Sequence, residues 1–149
     1  MTEKLRPYLV HVIKPLIIGG LIYICFRSKT LRFFDWIDKI GFSHSVNKIR
    51  ALVYPCKEVL PKWFINSLPD GLWVYSFTSF FLIIWKDQIN EAKYWLLIPL
   101  LFGCLIEVAQ AMKIFEGTYD PIDLFFGVFA FIISVNINKF KNEKKIKID

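Results

Sequence analysis

Cysteine and histidine are scarce in this chain of 149 residues. The three cysteines, Cys25, Cys56 and Cys104, are scattered, and no two of them form a Cys-x-x-Cys pair. Such an odd, scattered count argues against a disulfide framework or a zinc site and favours free thiols that pack as small hydrophobic groups. Of the two histidines, His11 falls in an apolar run and His44 in "FSHSVN", which we interpret as a surface loop. We therefore predict no metal and no cofactor.

Acidic residues are also in the minority, with 13 against 19 Lys and Arg, so the formal net charge is +6. In a soluble protein this balance would suggest nucleic-acid binding. The chain is, however, 55% apolar with a mean hydropathy of +0.43, whereas soluble domains are about 45–50% apolar. Because the basic residues flank apolar runs, we expect them to face anionic lipid headgroups and not nucleic acid. The sequence therefore predicts a single membrane domain over residues 1–149.

Four apolar runs are long enough to cross the hydrocarbon core, which takes about 20 residues and accepts about 17. They cover residues 8–26, 68–85, 94–112 and 121–138. His11, Lys14 and Pro15 interrupt the first run, and Lys4 and Arg6 precede it, as in a signal peptide. No small-x-small cleavage site follows, so we interpret this run as an anchor. The predicted fold class is an all-α polytopic membrane protein with four transmembrane helices.

The segments outside the runs also carry information. Residues 27–67 are too many for a loop without structure, and their mixed apolar and charged character indicates short amphipathic helices on the membrane surface. The tail, residues 139–149, carries five lysines. We expect it to be frayed and solvated, with anionic lipids as partners. Four spans place both termini on one side, and the basic residues there favour cytoplasmic termini.

Acidic residues stand close to the starts of the second and fourth runs. Since the third span ends where the second and fourth begin, their polar clusters are predicted to meet at one membrane face. In "SLPD", Ser67 would cap the helix, with Pro69 in the first turn and Asp70 three residues on. In "DPID", Asp120 would be the cap and Asp123 the third helical position. Both follow the capping-box pattern, which places each acid at the positive end of a helix dipole.

Glu107 has no such explanation. It lies about one and a half turns inside the third span, near a helix C-terminus, where the dipole disfavours an anion. An acid in hydrocarbon costs about 2.5–3.5 kcal/mol, so it either marks a function or bonds polar atoms on a neighbouring span. Gly103 and Gln110 share its helix face, and Gly103 would allow close helix approach. The predicted ligand-binding pocket consists of Glu107, Gln110, Asp70, Asp120 and Asp123.

Three motifs occur together within residues 67–135. They are E-x-x-Q at 107–110, G-x-x-D-x-x-D at 117–123 and "LPDGLWVYSF" at 68–77. This set resembles the VanZ-like family of small bacterial membrane proteins, named for a teicoplanin-resistance protein. The resemblance implies a protein of the bacterial cytoplasmic membrane with a link to glycopeptide tolerance. The chain differs at Gly71 and Trp73, where the family often has Lys and His, and at Gly127 and Ala130, where it often has Asn and Gly.

Three functions fit this pattern. The first, which we expect, is a protein that binds or modulates a cell-envelope lipid or lipid-linked intermediate through the polar pocket at one membrane face, which would hold a cationic or hydroxyl-rich head group. The second is a metal-dependent enzyme acting on a lipid phosphate, with Asp120, Asp123 and Glu107 around Mg²⁺. The third is a subunit of a proton-coupled transporter in which Glu107 carries the proton. No nucleophile or histidine stands beside the aspartates, so the sequence assigns no catalytic residue.

Overall fold

The computed structural model describes residues 5–29, 31–86, 88–115 and 117–146, and every regular element within them is helical. The all-α prediction is therefore confirmed for the described residues. The helices are α1 (Arg6–Phe26), α2 (Arg32–Lys39), α3 (Ser43–Val59), α4 (Lys62–Ile84), α5 (Ile89–Ala111) and α6 (Pro121–Ile146).

Within the described ranges, three helices are long and apolar enough to cross a membrane. They are α1, α4 and the Lys93–Ala111 part of α5. At about 1.5 Å per residue, the 21 residues of α1 measure about 31 Å, close to the thickness of the hydrocarbon core, about 30 Å. The fourth predicted span coincides with Pro121–Ile137 of α6, a shorter apolar segment. These helices are compatible with a multi-pass membrane protein.

The polar interruption in the first run does not break α1. Leu9–Ile13 form a π-helical turn, closed by a bond from the Lys14 backbone N–H to the Leu9 carbonyl. Pro15 comes after Lys14 and has no N–H to continue the regular hydrogen-bond pattern. A widened turn of this kind is one of the usual ways in which a helix accommodates such a defect. The run therefore folds as one helix.

The central helix of the bundle is α4, which packs against α1, α5 and α6. It approaches α6 closely at Gly71, where an added Cβ would lie 3.2 Å from Phe126 Cβ and 3.2 Å from the Phe126 carbonyl oxygen. The prediction that Gly103 permits such an approach is wrong. A Cβ on Gly103 would meet only Val74 Cγ2, at 3.9 Å, which is an ordinary contact. Close packing therefore depends on a small residue of α4.

Polar side chains hold α4 to its neighbours. Tyr75 Oη lies 2.6 Å from Nδ1 of the buried His11, which connects α4 to α1. Ser79 Oγ and Ser134 Oγ lie 2.9 Å apart between α4 and α6, and both residues are fully buried. Hydrogen bonds between helices in an apolar setting contribute about 0.6 to 2 kcal/mol each. The histidine that seemed to interrupt the first run is thus a packing contact.

The predicted start of α4 is wrong. The helix begins at Lys62, with Pro61 at the N-cap position, so Ser67, Pro69 and Asp70 all lie inside it. It starts earlier because Ile65 already belongs to the buried core. Ser67 Oγ is buried and has no hydrogen-bond partner among the described residues, so it caps nothing. Asp70 lies about two turns inside the helix, where a capping role cannot explain it.

The segment between the first two predicted spans contains α2 and α3. Two helices in this segment agree with the prediction, while their position on the membrane surface stays a prediction. Both expose large apolar side chains, including Trp36 on α2 and Leu52 on α3. His44 is exposed, as expected, but it belongs to α3 and not to a loop.

Candidate ligand cavity

A cavity of about 310 Å³ lies between α1, α4, α5 and α6. It stands at the end of the bundle where α1 and α5 end and α4 and α6 begin. Four of the five predicted pocket residues line it, together with one cation that the sequence analysis did not single out. The polar lining residues are Arg27, Asp70, Glu107, Gln110 and Asp123. Asp120 does not line the cavity and instead contacts Glu107.

Glu107 faces the start of α6. It is only 7% exposed, and its Oε2 accepts a hydrogen bond of 3.1 Å from the backbone N–H of Asp120. A helix N-terminus carries a partial positive charge and unpaired N–H groups. Glu107 is therefore at the unfavourable end of its own helix but at the favourable end of the next one. This contact accounts for an acid that its own helix could not explain.

At the turn before α6, the residues that accept the backbone N–H groups differ from those of the predicted capping box. Asp120 Oδ1 accepts a 2.9 Å hydrogen bond from the Ile122 N–H, so Asp120 caps the helix as predicted. In a capping box the side chain of Asp123 would accept the N–H of Asp120. That N–H bonds to Glu107 instead. Asp123 is consequently released from its predicted partner and lines the cavity.

Asp123 presents an acceptor that has no partner among the described residues. Its Oδ1 is buried and makes no hydrogen bond within the described part of the chain. Buried polar atoms are normally paired, and leaving one unpaired costs about 1–3 kcal/mol. An oxygen of this kind on a cavity wall is a suitable acceptor for a donor group of a ligand.

Arg27 supplies the positive charge of the cavity. It follows the last residue of α1, and its Nη2 lies 3.4 Å from Asp70 Oδ2. Its Nη1 donates to Asn66 Oδ1 at 3.3 Å, while Nε is buried without a hydrogen-bond partner among the described residues. The sequence analysis missed Arg27. A usable signal existed, because the span count places the end of the first run beside the start of the second.

Gln110 connects the cavity to the turn that follows α5. A Cβ placed on Gly117 would lie 2.6 Å from Gln110 Nε2. Gly117 also has a φ of +140°, which favours glycine. The amide of Gln110 is thus packed against bare backbone while it lines the cavity. Gly103, Glu107 and Gln110 all line this cavity, in agreement with the predicted shared face.

The cavity has a polar end and an apolar end. The helices α4 and α5 are antiparallel. The path from Asp70 to Phe77 on α4 therefore runs in the same direction as the path from Gln110 back to Pro99 on α5. Both paths lead away from the charged residues. Phe77, Pro99 and Leu100 line the far part. The described lining residues include three carboxylates and one guanidinium, so the polar end carries an excess of negative charge. This arrangement suits a molecule with a cationic or donor-rich head and an apolar body.

Within the residues that the structure describes, no three His, Cys, Asp or Glu side chains form a group that could hold a metal ion. The Mg²⁺ arrangement considered for Glu107, Asp120 and Asp123 has no counterpart there. Asp120 is turned to its own helix start and Glu107 to the Asp120 backbone.

Relatedness to known proteins adds no assignment for this cavity. Comparison of the chain with protein-family models, with curated proteins and with solved structures finds no match. The resemblance to the VanZ-like family stays a prediction, and the chemistry of the cavity has to be argued from its own residues.

Proposed function

We propose that this chain is a multi-pass membrane protein that binds the head group of a cell-envelope lipid or lipid-linked intermediate in the cavity between α1, α4, α5 and α6. The observation that carries the proposal is the meeting of Asp70, Glu107 and Asp123 with a single cation, Arg27, around one cavity. Intramembrane acids are expensive and are found where they handle a ligand or a proton.

The unpaired atoms favour a head group with donors and at least one acceptor. An ammonium or hydroxyl group can donate to Asp123 Oδ1, which has no partner among the described residues. A hydrogen bond from an ammonium group to a carboxylate is about twice as strong as a neutral one. Arg27 Nε is likewise unpaired there and can donate to a phosphate or carbonyl oxygen. An amino or polyhydroxyl group close to an oxygen acceptor meets both requirements.

The apolar end of the cavity supports an amphiphile over a water-soluble ligand. Its lining by Phe77 and Leu100 provides contact area for an acyl or isoprenoid chain. Burying apolar area contributes about 25 cal/mol per Å². A soluble amine or sugar would leave this wall without a partner.

The cellular setting is part of the same proposal. We infer that α6 is the fourth span, that the membrane is the bacterial cytoplasmic membrane and that both termini are cytoplasmic. The proposed place in the VanZ-like family and a role in glycopeptide tolerance depend on the motif resemblance alone. We propose α2 and α3 as helices of the membrane surface, because they expose Trp36 and Leu52.

Native mass spectrometry of the gently extracted protein tests the proposal. We expect a lipid adduct on the wild type and its loss in Asp123→Asn, which keeps the shape of the side chain and removes its charge. Asp35→Asn is the matched control, because it makes the same charge change on the exposed face of α2. Absence of any adduct, or equal loss in both variants, would contradict the proposal.

A further inference from the structure

A second cleft, on the other side of the α1 C-terminus, has the opposite charge. It occupies about 500 Å³ between the end of α1 and the outer part of α3. Residues 47, 50, 51, 54 and 57 line it, and their spacing of three or four places them on one helix face. Residues 25, 26 and 29 complete the wall from the end of α1 and the link that follows. The cleft is thus formed by an amphipathic helix folded back against a span end.

Among the residues that the structure describes, three cations and no carboxylate line this cleft. The cations are Lys29, Arg50 and Lys57. Within the described part of the chain, none of them forms an ion pair with an acid. Lys29 Nζ donates to Asn47 Oδ1 at 2.5 Å, which holds the ammonium at the rim. The positive charge of the cleft therefore has no neutralising side chain among the described residues of its wall.

Arg50 is fixed in place by the backbone of α1. Its guanidinium donates to the carbonyl of Ile24 at 2.5 Å and to that of Arg27 at 2.7 Å. It also lies over the ring of Phe34, 5.1 Å from the ring centre. Two of the five N–H donors of an arginine are thus engaged, while the charge stays uncompensated by a carboxylate. These contacts fix the position of the Arg50 guanidinium, and the two lysines supply further donors.

The position of the cleft indicates its ligand. It lies beside Phe26, the last residue of a helix about as long as the hydrocarbon core is thick. From this length we infer that the cleft lies at the depth of lipid headgroups. Leu52 and Val59 on α3 are 81% and 85% exposed, and they suit a neighbouring acyl-chain surface. Basic pockets beside membrane spans bind the phosphates of anionic lipids.

We propose that the cleft of Lys29, Asn47, Arg50 and Lys57 binds the phosphate group of an anionic membrane lipid. This site is separate from the acidic cavity, whose polar end selects donors and positive charge. Arg27 lies between the two sites, with its carbonyl bonded to Arg50 and its side chain paired with Asp70. The proposal holds whatever ligand the acidic cavity takes.

Calorimetric titration of the purified full chain in detergent with short-chain phosphatidylglycerol tests the site. Each basic residue contributes about 1 kcal/mol near an anionic lipid, so Lys29→Gln with Lys57→Gln should weaken binding about thirtyfold. Lys39→Gln with Lys48→Gln is the matched control, since it removes the same charge from exposed positions outside the cleft. We expect the control to bind within about twofold of the wild type.

Two further sets of measurements are needed. One distinguishes a lipid phosphate from free phosphate, and the other keeps the test valid if the double lysine variant fails to fold. Inorganic phosphate should not compete with the lipid at equal concentration, and phosphatidylcholine should bind at least tenfold more weakly. Asn47→Asp should weaken binding as well, because it adds a negative charge at the rim without removing a lysine. Unchanged affinity in the double lysine variant, equal loss in the control, or full competition by inorganic phosphate would overturn the proposal. The loss caused by Lys29→Gln with Lys57→Gln should be the same in a Glu107→Gln background, which separates its outcome from that for the acidic cavity.

Discussion

Glu107 Oε2 accepts a hydrogen bond of 3.1 Å from the backbone N–H of Asp120. This contact joins the end of α5 to the start of α6 and gives a buried acid a structural partner. The same carboxyl group lines the cavity. Glu107 thus has two separable roles, one that requires only an acceptor oxygen and one that requires negative charge. Substitutions that remove these properties independently can distinguish the roles.

Glu107→Gln and Glu107→Ala should differ in stability. Gln keeps an oxygen that can accept the Asp120 N–H, whereas Ala leaves that N–H without its partner. Leaving a buried donor unpaired costs about 1–3 kcal/mol, so Glu107→Ala should unfold at lower denaturant concentration, with Glu107→Gln close to the wild type. Equilibrium unfolding in mixed detergent micelles measures this difference.

Retention of the lipid should not differ between Glu107→Gln and Glu107→Ala. Both Glu107 variants remove the charge, so both should lose the lipid adduct that native mass spectrometry detects on the wild type. If Glu107→Gln kept the full adduct, the charge of Glu107 would have no part in binding. If Glu107→Gln were as unstable as Glu107→Ala, the hydrogen bond to Asp120 would not be the stabilising contact.

The ion pair between Arg27 and Asp70 should appear as a measurable coupling. The two side chains are 25% and 33% exposed and lie 3.4 Å apart, so we expect a coupling free energy of about 1 kcal/mol or less. A cycle of Arg27→Gln, Asp70→Asn and the double variant, followed by equilibrium unfolding, gives this value. Arg27→Gln alone should be the least stable of the three, because it leaves the carboxylates of the cavity without a cation. Strict additivity would show that the pair contributes nothing.

Gly117→Ala should destabilise the turn before α6. Its φ of +140° is unfavourable for alanine, and the added Cβ would lie 2.6 Å from Gln110 Nε2. We expect a loss of more than about 1 kcal/mol. Gly20→Ala in α1 is the control, since a Cβ there meets nothing within 4 Å and alanine favours a helix by about 1 kcal/mol. Equal thermal stability of the two variants would contradict this account of the turn.

The local features of the site could be predicted from the sequence, whereas most of its tertiary contacts could not. The Asp120 cap was predictable because it depends on residues within one turn. The start of α4 was not, because "SLPD" satisfies a local capping pattern while burial of Ile65 extends the helix upstream. Glu107 could be singled out by its conflict with the dipole of its own helix, but its partner lies on another helix. Which side chains pair where these helix ends meet is decided by packing of the whole bundle.

Arg27 is a basic residue whose place in the cavity could likewise not be predicted from the sequence. A cation just after an apolar run has an ordinary explanation, since it can extend its charge to lipid headgroups. Only the proximity of Asp70, 43 positions along the chain, shows that it belongs to the cavity. The span count brought these two ends to one face, whereas the pairing of particular side chains needed the structure. Span topology therefore predicts the location of a site more securely than its composition.

The proposed fourth span makes a prediction about the two ends of the chain. Four crossings are an even number, so Lys4 and Lys145 should lie on the same side of the membrane, and Thr118, between α5 and α6, on the other. Single cysteines at these three positions, in a variant whose natural cysteines are replaced by alanine, report this through a membrane-impermeant maleimide. With cytoplasmic termini, intact cells should label only position 118, and inverted vesicles should label positions 4 and 145. Labelling of positions 4 and 145 from opposite sides would mean that only three helices cross and that α6 lies elsewhere, which would remove one wall of the acidic cavity from the membrane.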